Sequence, residues 1–330
     1  MPSRIYLDHA ATTPLLPAAQ AAMADGFARW ANPSSPHAEG RAARAALENA
    51  RAEIADALGW RGEVIFTSGA SEAIALGIGR CVQPLTHTSP IEHEAVLRLA
   101  ERAQRWPGDG PFGLVAVQHA NNETGVIQPL AEIAATVRGQ GGLLLADCAQ
   151  SAGKIALPDA DFIAISAHKF GGPIGIGALL VRDHSLLRPT GGQERGYRPG
   201  TENLPAALGM AAALRAGNGW LAEATRLRAR LETALTATGA QIIAADTPRL
   251  PTIGAIRMPG RAAHVQLIRF DAQGFAVSAG SACSSGSLRA SHVLTAMQVE
   301  GAGEVIRVSI GRETTEGQID AFIAAWQAMA

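Results

Sequence analysis

Apolar residues recur at helical spacing over 38–58, where Ala43, Leu47, Ile54 and Leu58 share one face and Arg and Glu occupy the turns between. That period predicts an amphipathic helix, and Gly59 supplies its stop. A helix is also expected over 17–30, followed by the polar loop Asn32-Pro33-Ser34-Ser35-Pro36-His37. Then the period changes. Short apolar runs at 64–66, 113–118, 142–146, 162–166 and 177–181 read as buried strands, and Cys81 is expected to open another. Helical stretches fall between several of these runs, the pattern of a mostly parallel sheet in an α/β domain. An alanine-rich helical stretch over 204–235 is broken at Gly217-Asn218-Gly219, and the domain boundary is expected there. Beyond it, strands at 253–258, 275–278 and 305–310 alternate with helices at 263–270 and 318–329, an α+β pattern. The expected division is a large domain over 13–218 and a smaller one made of 1–12 and 219–330.

Composition sharpens this picture at a few points. A chain of 330 residues is long for one core, and 47% apolar with 17% charged residues describes a globular protein. The net charge of −1 offers no electrostatic case for nucleic acid or an anionic membrane as partner. No apolar run approaches the ~18 residues of a membrane span, and the start Met-Pro-Ser-Arg-Ile-Tyr-Leu-Asp does not read as a signal peptide. The cysteines, Cys81, Cys148 and Cys283, are odd in number and far apart. They form no disulfide framework, and a reducing cytoplasm is the expected compartment.

Chemistry enters through a scarcity. Lys154 and Lys169 are the only lysines; every other fixed positive charge is arginine. Arginine stays protonated, whereas a lysine amine can lose its proton and attack a carbonyl. Lys169 lies in Ser166-Ala167-His168-Lys169-Phe170-Gly171-Gly172-Pro173, an apolar strand opening into a glycine turn. Strand ends are where α/β proteins place their chemistry, so Lys169 is a candidate Schiff-base nucleophile. Asp147 closes the preceding apolar run. Thr67-Ser68-Gly69-Ala70-Ser71-Glu72 joins a strand to a helix N-terminus, where backbone N–H groups and the helix dipole favour a phosphate. A lysine, an acid and a phosphate cradle at strand ends are what pyridoxal 5′-phosphate requires: an imine, a partner for the pyridinium nitrogen, and an anion site.

These motifs, in this order, resemble the class V aminotransferase-like enzymes that use pyridoxal 5′-phosphate, and within them the NifS/IscS-type cysteine desulfurases. The resemblance extends through Tyr6-Leu7-Asp8-His9-Ala10-Ala11-Thr12-Thr13, Asn32-Pro33-Ser34-Ser35, Glu92-His93-Glu94-Ala95-Val96 and Asn121-Asn122-Glu123-Thr124-Gly125. It continues through Asp147-Cys148-Ala149-Gln150-Ser151, Arg198-Pro199-Gly200-Thr201-Glu202-Asn203, Gly280-Ser281-Ala282-Cys283-Ser284-Ser285 and Ile306-Arg307-Val308-Ser309. It thus spans essentially the whole chain, although the stretches at 105–113 and 204–250 are shorter than is usual in that family. The implied fold is fold type I, aspartate-aminotransferase-like, with a mostly parallel sheet in the large domain and a smaller α+β domain.

The resemblance implies roles residue by residue. Lys169 carries the imine and moves protons, and Asp147 pairs with the pyridine nitrogen. Gln150 and Asn122 bond the cofactor or substrate edge. Ala70, Ser71, Ser166 and His168 hold the phosphate, with Thr201 reaching in from the second subunit of a homodimer. His93 stacks on the ring and acts as acid–base at the substrate sulfur. Arg307, with Asn32, takes the substrate carboxylate, a bidentate task for which lysine is a poor substitute. Cys283, in a run of small residues, accepts sulfur as a persulfide; Cys148 is expected to be inert. No metal site is assigned. The implied reaction converts L-cysteine to L-alanine and passes the sulfur to an acceptor protein of iron–sulfur or thiolation chemistry. A selenocysteine lyase or another class V enzyme is the alternative, and a non-catalytic sulfur-assembly scaffold a further one.

Overall fold

The computed structural model describes residues 4–280 and 291–329. In chain order the elements are β1 (Ile5–Tyr6), α1 (Pro17–Ala28), α2 (Ala38–Leu58), β2 (Glu63–Thr67), α3 (Ala70–Arg80), β3 (Leu85–Thr88), α4 (Glu94–Leu97), β4 (Gln104–Arg105) and β5 (Leu114–Gln118). There follow α5 (Leu130–Gly139), β6 (Leu143–Asp147), β7 (Phe162–Ser166), β8 (Gly177–Val181), α6 (Leu204–Arg215), α7 (Leu221–Thr236) and β9 (Gln241–Ile242). The chain closes with β10 (Ile253–Arg257), α8 (Ala263–Ala272), β11 (Phe275–Ala276), α9 (His292–Ala296), β12 (Val305–Ser309) and α10 (Glu316–Gln327). Contacts divide it into two compact units, Thr13–His119 with Gln128–Asn218, and Met1–Thr12 with Ala120–Ile127 and Gly219–Ala330. The excursion Ala120–Ile127, inside the expected large domain, thus packs with the smaller unit.

The larger unit is built on a seven-stranded sheet of order β2-β8-β7-β6-β5-β3-β4. β7, β6, β5, β3 and β4 run parallel, and β8 lies antiparallel between β2 and β7. β5, β7 and β8 are buried along their whole length, which is why they read as unbroken apolar runs instead of alternating ones. α2 forms over the predicted span, and Gly59 ends it at φ +63°. Cys81, expected to open a strand, instead closes α3. Its N–H continues the helical ladder to Gly77, and the next strand begins only at Leu85, past Pro84. β11 is two residues instead of the expected four, since Ser278 turns away to bridge Arg307.

The smaller unit has its own core, with Leu7, Leu231, Ile256, Phe270, Val308, Phe322 and Trp326 buried together. The antiparallel sheet β12-β10-β9 and the parallel pair β1-β11 lie in it. Among the described residues, no helix is long and apolar enough to cross a membrane.

Candidate active site

The larger unit gathers the strand-end residues. After β7 the chain makes a single 3₁₀ turn, Ala167–Lys169, closed by bonds from the Phe170 and Gly172 amides to the Ala167 carbonyl. The glycines permit this turn. Gly171 sits at φ +88°, and a Cβ on it would lie 2.6 Å from Leu16; a Cβ on Gly172 would lie 2.8 Å from that of Ala167. From the other side, the Thr13 amide donates to the His168 carbonyl (2.8 Å) and the Thr13 hydroxyl to the Lys169 carbonyl (3.4 Å). Lys169 is therefore held half-buried at the end of a pinned strand.

Asp147, the last residue of β6, is buried, and its Oδ1 accepts the Ala149 amide at 2.9 Å. Burial pushes its carboxyl above the ordinary range, against the pull of the Ala149 amide and of His93 and Lys169 nearby. His93 caps α4, and its Nδ1 accepts the Ala95 amide at 3.1 Å. In the neutral ring that leaves the proton on Nε2. Gln150 is buried, and its carbonyl accepts Lys154 Nζ at 2.9 Å. His168 is half-buried, and burial first, then the charges of Lys169 and Lys154, pushes its imidazole down to about 4.

The turn from β2 to α3 forms a cradle. Gly69, at φ +157°, begins α3 without a side-chain cap, and a Cβ there would lie 3.5 Å from Ser166 Oγ. Gly177 abuts the same turn: its Cβ would stand 2.7 Å from the Gly69 Cα. The first-turn positions Ala70 and Ser71 thus lie beside β7, with Ser166 alongside Gly69. Glu72, one position further along, accepts the Ser68 amide and is paired with Arg198 at 2.7 Å. Asn32 and Thr201 are exposed in this unit, and Asn32 Oδ1 accepts the Ser34 amide.

Arg307 and Asn122 belong to the smaller unit. Arg307, on β12, is 3% exposed; Nη1 donates to the Asn122 carbonyl (2.9 Å) and Nη2 to Asp8 (2.8 Å), while Nε is buried without a partner. A guanidinium that keeps an unused donor beside its pair with Asp8 is suited to a carboxylate. Cys283 lies outside the described residues. Cys148 is fully buried, and burial pushes its thiol far up, leaving it unreactive.

Three charged residues here had no role assigned from sequence. Lys154 is buried at 6% exposure, and burial with the charge of Lys169 brings its amine down to about 7. The scarcity that singled out Lys169 applies equally to it. Glu92 is fully buried beside the strand-end cluster, and burial holds its carboxyl well above the usual range. Asp8 sits in the N-terminal motif, but only the tertiary contact reveals that it faces Arg307.

The sheet order and strand-end cluster define an α/β protein of fold type I, the architecture of the NifS-like structures it resembles. The chain belongs to the class V aminotransferase family, whose model matches residues 5–108 and 109–322. It is 34% identical over 360 residues to a cysteine desulfurase of Cereibacter sphaeroides, covering 96% of this chain and 93% of that protein. It is 36% identical over 370 residues to an IscS-like cysteine desulfurase of Mycobacterium tuberculosis, with 96% and 93% covered. Among solved structures it superposes on a NifS-like protein from Rickettsia africae with a TM-score of 0.89, 30% identity and 99% of each chain covered.

Proposed function

We propose that this protein is a cysteine desulfurase that works with pyridoxal 5′-phosphate. The observation that carries the reading is the half-buried Lys169 on a pinned strand end, in electrostatic reach of the buried Asp147, within a chain of this family. The residues present fit the cofactor. The turn at Gly69 leaves room where a side chain would otherwise project, Ser166 brings its hydroxyl to it, and α3 starts there without a capping side chain and with Ser71 in its first turn. A phosphate suits that set of donors. Asp147 would pair with the protonated ring nitrogen, whose charge would offset the cost of burying the carboxylate, and Gln150, Asn122 and His168 would bond the cofactor's edge and phosphate.

When bound, pyridoxal 5′-phosphate supplies an electron sink for the substrate's α-carbon. Lys169 would hold the aldehyde carbon and then carry the proton taken from Cα. His93, with its proton on Nε2, would stack on the ring and exchange a proton with the substrate sulfur. Arg307 would bind the carboxylate, Nε being the donor that its bonds to Asn122 and Asp8 leave unused, assisted by Asn32. The Cys283 thiolate would attack the sulfur of L-cysteine. The S–S bond forms as the Cβ–S bond breaks, Cβ retains the electron pair and takes up a proton, and the products are L-alanine and a persulfide on Cys283. Exposed Thr201 would act on the phosphate of a second subunit in a homodimer. The persulfide would pass to an acceptor protein of iron–sulfur or thiolation chemistry in a reducing cytoplasm.

The test is an absorbance spectrum of the protein with pyridoxal 5′-phosphate, followed by L-cysteine with alanine and persulfide measured together. Lys169→Ala should lose the bound-cofactor band; Cys283→Ala should keep it and form no persulfide. A colourless wild type, or alanine formation at full rate by Cys283→Ala, overturns the reading. Faster turnover of selenocysteine than of cysteine would reassign the substrate.

A further inference from the structure

Glu123 is a buried carboxylate that the reaction above leaves without a task. Its backbone is set by its neighbours: Asn121 Oδ1 accepts the amides of Glu123 and Thr124 (both 2.9 Å) and the Thr124 hydroxyl (3.1 Å). Gly125 then turns back at φ +76°, where a Cβ would stand 2.9 Å from the Ile253 carbonyl. The side chain so aimed meets two residues far along the chain. Ser291 donates its hydroxyl to Glu123 Oε2, and the same hydroxyl accepts the Leu294 amide at 3.1 Å, capping α9. Gly280 lies against the same oxygen: a Cβ on it would fall 1.8 Å from Oε2 and 2.5 Å from Cδ, so only hydrogen fits. Burial raises the Glu123 carboxyl, opposed by the Ser291 hydroxyl, His292 and Arg307.

Gly280 and Ser291 are the residues on either side of 281–290, the segment that contains Cys283. One carboxylate therefore touches both of the described residues that flank it. We infer that Glu123 is a positioning residue for sulfur transfer, fixing Gly280 and Ser291, the two residues between which the Cys283-bearing segment is strung in the chain. The inference rests on the assignment of Cys283 as the sulfur acceptor. A carboxylate suits the place because it only accepts, so the Ser291 hydroxyl must donate to it while receiving the Leu294 amide.

The experiment compares wild type with Glu123→Ala, Glu123→Gln, Gly280→Ala and Glu123→Ala/Gly280→Ala. Three quantities are read: the bound-cofactor spectrum, the rate of persulfide formation on Cys283 by mass spectrometry, and the alkylation rate of Cys283 by iodoacetamide without cofactor or substrate. Glu123→Ala should keep the spectrum and its response to L-cysteine while persulfide formation slows about tenfold or more, the scale of a misplaced reacting group. Glu123→Gln, which retains an acceptor for Ser291, should recover most of that rate. Gly280→Ala should match Glu123→Ala, since its methyl collides with the carboxylate, and the double variant should be no slower than either single one. Alkylation of Cys283 should rise in Glu123→Ala. Wild-type persulfide formation in Glu123→Ala, unchanged alkylation, or multiplying defects in the double variant would overturn the inference. If the wild type forms no persulfide, the proposed function fails, whereas the alkylation comparison still decides the role of Glu123.

Discussion

Lys154 shows what burial does to a single charge. Its amine is enclosed, bonds the Gln150 carbonyl, and is brought from 10.5 to about 7 by desolvation and by Lys169. Below that value the folded protein must bury a charge. Between about 7 and 10.5 the folded form is neutral while the unfolded chain remains protonated. The unfolded state then binds more protons, so stability should rise with pH across this window. Lys154→Met should lack that rise, losing on the order of 3 kcal/mol of pH-dependent stability. Urea midpoints at pH 6.5 and 9.5 read this directly, and parallel shifts in both proteins would exclude it. Residue identity singled out Lys169 and gave Lys154 no role, although the same scarcity of lysine applies to both. It did not reveal Glu123, whose partner Ser291 lies 168 positions away.

Elements were legible wherever local pattern and burial agree. α2 has a mixed polar and apolar face with a glycine stop, and β7 and β8 are short runs enclosed on both faces. β8 could not be recognised as antiparallel from its residues, since a buried strand shows the same composition in either direction. Ties between elements were equally hidden. Arg51 of α2 donates twice to Glu194 (2.8 and 3.0 Å), and Glu194 also accepts the Phe66 amide of β2 (2.8 Å). Both side chains are nearly fully enclosed. Glu194→Ala would leave the buried Arg51 guanidinium with only Glu48 (3.0 Å) as its charge partner and the Phe66 amide without its acceptor, and should lower stability by about 3 kcal/mol, the lower end of the cost of breaking a buried pair. A joint replacement, Arg51→Met with Glu194→Met, should recover most of that loss, and urea denaturation of the three variants is the measurement.

At the scale of the whole molecule there are two compact units, and the N-terminal strand serves the core of the one formed mainly by the C-terminal third. Leu7 is fully buried there. Leu7→Ala should cost about 2–5 kcal/mol and reduce hydrogen-exchange protection in β10 and β12. Protection in β7 should remain, and its loss would show that the two cores do not act separately. The alternation of strand and helix, the break near Gly217, and the lysine, acid and glycine turns at strand ends could be read from the chain without its fold. These depend on local periodicity and on chemistry that only particular side chains possess. Only the closed fold shows that β8 runs backwards, that Ala120–Ile127 groups with the smaller unit, and that Asp8 meets Arg307 and Glu123 meets Gly280 and Ser291. Such contacts join residues far apart in the chain, and only the closing of the fold brings them within hydrogen-bond range.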